Sequence, residues 1–148
     1  MVNNENITAF AQRVLGCGCP EEVFRNIDCQ CDIKINDISV KNRLNIGNRL
    51  LIYVAEVNEP DSVNRILPLL CDAGKKDRDS SGFNRFRLVL AADILDDIKQ
   101  AAEDIFNAIN KDEKMHLHVI LKKNYMQMHF FIFIYCVECI LCRLFYII

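Results

Sequence analysis

The 148-residue chain is 51% hydrophobic and 26% charged, with a formal net charge of −2. That is the composition of one globular domain able to bury a core without staples, and it supplies neither a basic field for nucleic acid nor an acidic tail. Met1 to Glu5 is polar, and Ile7 to Leu15 is interrupted by Thr8, Gln12 and Arg13. No secretory leader is therefore expected, and the eight cysteines predict metal, redox or free-thiol chemistry in a reducing, cytoplasmic setting rather than a disulfide framework.

Ile7, Phe10, Ala11, Val14 and Leu15 recur at helical spacing after Asn3 or Asn4, and Gly16 stops that first helix. Pro20 suits the first position of a second, short helix, with Glu21 and Glu22 in its first turn. Ile33 and Ile35 alternate, then Ile38 and Val40 alternate on the other phase, which predicts one strand with an irregularity at Asn36-Asp37. Asn45 to Asn48 is a turn around Gly47, and Leu50 to Ala55 is an apolar run of the kind covered on both sheet faces.

Val63, Ile66, Leu67 and Leu70 form the stripe of a third helix, which Pro68 should kink or split and Gly74 should end, leaving Lys75 to Gly82 as a charged loop. Phe86 to Ala92 is the next strand. Asp93 is placed to cap a strongly amphipathic helix carrying Ile94, Ile98, Ala101, Ala102, Ile105 and Ile109, and Met115 to Ile120 is the last strand. The order α-α-β-β-α-β-α-β predicts an α+β fold with an α/β-like half. Its four-stranded mixed sheet has the last three strands parallel and the first antiparallel.

Four cysteines fall between positions 17 and 31, as Cys17-Gly18-Cys19-Pro20 and, nine residues on, Cys29-Gln30-Cys31. Two such pairs flanking a short helix can converge, and four thiolates in a tetrahedron suit zinc or an iron–sulfur cluster. The single-residue spacing departs from the wider spacing usual in structural zinc sites. A redox reading uses Cys19 at the start of the second helix, where unpaired N–H groups favour a thiolate, with Cys17 as the resolving thiol. Its logic is similar to that of thioredoxin-type sites, although the motif is not theirs, and Glu21 and Glu22 oppose a depressed pKa. The plainest alternative is four inert thiols filling a corner. Cys71 reads as core.

His116 and His118 share one face of the last strand and are capable of ligation, but with no further ligand close in sequence a polar strand face is the better reading. Phe83 to Arg87 interleaves aromatics with arginines after Lys75, Lys76 and Arg78. This is a pattern that can stack bases, but a core phenylalanine beside a solvated loop balanced by Asp77 and Asp79 is the better reading.

Residues 122–148 differ in character from the domain of residues 1–121. From position 121 onward lie seven of the thirteen aromatics and three of the eight cysteines. Met128 to Ile148 is long enough for a membrane-anchoring helix behind Lys122 and Lys123, but Glu138 and Arg143 would each cost about 2.5–3.5 kcal/mol at its centre. Cys136, Cys139 and Cys142 are similar to the first three cysteines of a bacterial ferredoxin run, without the fourth cysteine and its proline. Translation past a frameshift or lost stop is the other explanation of this tail. Taken together, these features predict a small metal- or iron–sulfur-binding protein with an electron-transfer or thiol-redox role through Cys17, Cys19, Cys29 and Cys31, acting with a protein partner. The alternative is a non-catalytic assembly module with structural cysteines.

Overall fold

A computed structural model describes residues 4–125. The expectations for Met128 to Ile148, and for Cys136, Cys139 and Cys142, lie outside those residues. Among the described residues no helix is long and apolar enough to cross a membrane.

The chain opens with α1 (Asn4–Ala9), which continues as a π-helical turn over Phe10–Val14, and then forms a 3-10 turn over Glu21–Arg25. Strands β1 (Ile27–Ile35), β2 (Ile38–Ile46) and β3 (Leu50–Glu56) follow in succession. Helix α2 (Pro60–Ser81) leads to β4 (Arg85–Ala92), and α3 (Asp96–Ala108) leads to β5 (Met115–Leu121). The sheet runs β1-β2-β3-β4-β5, antiparallel across the first two junctions and parallel across the last two. The parallel and antiparallel halves match the sequence expectation.

The strand count does not. Among the described residues there are five strands instead of four, because Asn36-Asp37 is a hairpin turn and not a mid-strand irregularity. Both residues have positive φ, +49° and +64°, the pair of signs a type I′ turn requires, and Asn and Asp tolerate that region better than other side-chain-bearing residues. The change of apolar phase at this point reflects a reversal of direction.

The sheet is covered on both faces. Leu51, Tyr53, Phe86, Leu88 and Leu90 pack under α2 and α3 with Val63, Leu67, Leu70 and Ile98. Ile52, Val54, Val89 and Ala91 face the opposite way, against Ile7, Phe10, Ala11, Phe24 and Tyr125. Each fully buried leucine contributes roughly 1.5–3 kcal/mol over leaving it exposed. The β1–β2 hairpin contributes to both layers. Leu44 and Ile46 belong to the α1-side core, whereas Ile38 and Val40, on the same strand phase, belong to the α2-side core. The switch falls where Asp32 adopts φ +50° opposite Lys41.

Helix α2 is longer than its sequence pattern predicts. It passes through Pro68, which has no N–H to donate to the carbonyl of Asn64, an exposed residue. Gly74 lies inside it rather than at its end. A Cβ at this position would fall 2.1–2.5 Å from ring atoms of Phe86, so the glycine is a packing requirement. The helix stops at Gly82, left-handed at φ +76°. Lys75 to Ser81 are therefore helical rather than loop. Asp93 does not cap α3, which starts three residues later, and Ile94 is 75% exposed instead of on the buried stripe. Asp93 instead accepts a bond from Lys122 Nζ at 3.4 Å.

Candidate functional site

The helix that starts the chain delivers Cys17 into the core. After the left-handed turn at Gly16, the Cys17 amide donates to the Ala11 carbonyl at 2.9 Å, and the thiol is 8% exposed. Cys19 is half-buried beside it. The Cys17 thiol donates to the Cys19 sulfur at 2.7 Å, longer than the ~2.05 Å of a disulfide but closer than unbonded sulfurs normally stand. No disulfide joins the two. Burial, then the hydrogen bond from Cys17, pushes the Cys19 thiol up to about 11, while the charges of Arg87 and Arg85 pull it down. The residue before the 3-10 turn is Pro20, so Cys19 is not its cap, and a five-residue turn has no helix N-terminus to stabilise a thiolate.

Cys29 and Cys31 alternate along edge strand β1, on one face, with sulfurs 3.6 Å apart. Asn42, on β2 in register with Cys31, donates its side-chain amide to both sulfurs at 3.3 Å. Asn42 is itself buried, and Tyr125 donates its hydroxyl to the Asn42 Oδ1. Burial and the bond with Cys31 push the Cys29 thiol up to about 12, against the pull of the Asn42 amide.

The four cysteines thus stand as two pairs, Cys17 with Cys19 and Cys29 with Cys31. Among the described residues no group of three or more His, Cys, Asp or Glu side chains is placed to hold a metal ion. Cys71 is buried in the α2-side core, and burial pushes its thiol up to about 12.

Arg87 is the residue that connects the first pair to the sheet. Its Nη1 donates to the Leu15 carbonyl oxygen, holding the end of the first helix to β4, and lies 3.2 Å from His118 Nε2. Arg87 and His116 are register partners on β4 and β5. Burial, then the Arg87 charge, pushes His118 down to about 4 and His116 in the same direction, so both imidazoles are neutral near pH 7. The two histidines lie on one face of β5, and the arginines that share it come from the Phe83 to Arg87 segment. Phe83 and Phe86 are buried in the α2-side core and present no stacking surface.

Two polar clusters carry no local signal in the sequence. Asp77, in the segment expected to be a loop, accepts from Arg43 through two bonds of 2.8 Å and from the Tyr53 hydroxyl at 2.5 Å. Burial pushes its carboxyl up, but these donors hold it below the ordinary range. Buried Arg78 reaches Asp112, whose carboxyl it holds down to about 2. Both tie α2 to its neighbours. Asn42 is quieter than it need be, because a lone amide at the centre of the phase Ile38, Val40, Asn42, Leu44, Ile46 is a signal that could have found it.

Compared with protein-family models, curated proteins and solved structures, the chain matches none of them.

Proposed function

We propose that this chain is a small thiol-redox protein whose working group is the Cys17–Cys19 dithiol. The observation that carries this reading is the Cys17 thiol directed at the Cys19 sulfur at 2.7 Å, with one member buried and the other half-exposed. Closure joins the two sulfurs, releases two protons and passes two electrons to a substrate disulfide, which leaves as two thiols. The raised Cys19 thiol keeps little thiolate at neutral pH, so the exchange speeds up as pH rises.

A second reading applies to Cys29 and Cys31. Their 3.6 Å separation is close to the ~3.8 Å edge of a tetrahedron with bonds near 2.3 Å, and an amide donating to both sulfurs is the kind of outer contact that orients metal-bound thiolates. Zinc or an iron–sulfur cluster held there would take its remaining ligands from a partner.

The test is mass mapping of the full chain, purified without oxygen and then titrated through a thiol–disulfide buffer, together with metal analysis. A reversible Cys17–Cys19 disulfide, lost in Cys17→Ser, supports the dithiol reading. Thiols inert across the whole range overturn it in favour of an assembly module. Stoichiometric zinc or iron lost in Cys29→Ser supports the second reading.

A further inference from the structure

The α1-side face of β4 and β5 is basic at the end beside the dithiol. Arg85 and Arg87 alternate along β4, and His116 and His118 alternate along β5. Farther along, the same rows turn apolar, with Val89, Ala91 and Ile120 under the helical layer. Among the described residues neither arginine has a carboxylate at ion-pair distance, in contrast to Arg43 and Arg78, which are paired with Asp77 and Asp112. Arg87 Nε and His116 Nε2 are buried without a hydrogen-bond partner among the described residues. Buried groups of this kind ordinarily find partners, in protein, water or a bound ion. The patch adjoins the thiols. Arg87 bonds the carbonyl of Leu15, two residues before Cys17, and the charges of both arginines are felt at Cys19.

We propose that Arg85, Arg87, His116 and His118 bind the carboxylate of an anionic low-molecular-weight disulfide and present its sulfurs to the Cys17–Cys19 pair. The inference rests on the dithiol reading and names its substrate class. The exposed Arg85 guanidinium supplies a forked, permanently charged donor for a carboxylate, Arg87 adds its charge from behind the Leu15 tie, and a neutral imidazole N–H supplies a second donor. In the reaction, Cys19 loses its proton to solvent and its sulfur attacks one substrate sulfur. The substrate S–S bond breaks and releases the first thiolate. Cys17, deprotonated in turn, attacks the Cys19 sulfur, forms the Cys17–Cys19 bond and expels the second thiolate. The two released thiolates take up two protons, and the two electrons lost by the dithiol reside in the two new substrate thiols.

The experiment compares two reagents on the full-length chain. One is dithiodiglycolate, which carries two carboxylates, and the other is the neutral bis(2-hydroxyethyl) disulfide. Each rate of Cys17–Cys19 oxidation is normalised to the reagent's rate with a free small thiol. The expected result is a preference of roughly tenfold or more for the dianion at low ionic strength, reduced several-fold by added salt. Arg85→Gln, at an exposed position, cuts the preference several-fold. Equal normalised rates for the two reagents at low salt overturn this inference and leave the dithiol reading standing. Failure of both reagents to form the Cys17–Cys19 disulfide overturns the dithiol reading itself.

Discussion

The Tyr125 hydroxyl donates to the Asn42 Oδ1 across 83 residues of chain, and the same Asn42 amide donates from its other end to Cys29 and Cys31. A residue four positions past β5 thus fixes which way an amide in the first hairpin points. Both partners are buried, at 1% exposure for Asn42 and 2% for Tyr125. Losing a donor to a buried acceptor costs about 1–3 kcal/mol. Tyr125→Phe, which removes only the hydroxyl, is expected to lower stability by that amount in urea unfolding of the full chain. An unchanged midpoint would show that the bond contributes nothing.

Phe86 packs its ring onto the backbone of α2 at Gly74, where even a methyl group would overlap it. Helix propensity alone predicts that Gly74→Ala stabilises by up to about 1 kcal/mol. Overpacking at a buried contact predicts a loss of about 1–3 kcal/mol, and the close approach makes this the larger effect. Gly74→Ala is therefore expected to be destabilising, and much less so when combined with Phe86→Leu. Additive effects in the double-mutant cycle would place the origin of the loss elsewhere.

His118 makes stability depend on mildly acidic pH. Unfolded, the imidazole takes up its proton near pH 6.5, whereas in the folded protein it does so only near about 4. Between those values the unfolded chain binds more protons, so this contribution is fully present above pH 6.5 and is lost as pH falls toward 4. One proton corresponds to a slope of at most about 1.4 kcal/mol per pH unit. His118→Gln should flatten the fall in urea midpoint measured from pH 7 to pH 4.5. A slope unchanged by the substitution would assign it to other groups.

Much of the architecture is legible in the sequence. The run Leu50 to Ala55 reads as a doubly covered strand because all six residues are apolar, and all six are buried. The mixed pairing follows from where helices intervene between strands. Local signals fail where two readings share one pattern. Asn36-Asp37 fits a strand defect as well as a turn, and only the antiparallel pairing of β1 with β2 chooses between them. Gly74 carries the mark of a helix end, yet the ring of Phe86, twelve residues on, is what requires it.

By itself the sequence determined the order of most elements, the two apolar faces of the sheet and the spacing of the cysteines, because periodicity and glycine or proline chemistry act over a few residues. Tertiary structure decided which sulfurs meet. It set Cys17 against Cys19 and Cys29 against Cys31, placed Asn42 between the latter two, and brought Arg87 and His118 to the end of the first helix. The contacts of Asn42 with the sulfurs and of Arg87 with Leu15 join residues 11 to 72 positions apart. They depend on strand register and on which way each face turns, as at the hairpin's switch beside Asp32, and a local pattern specifies neither.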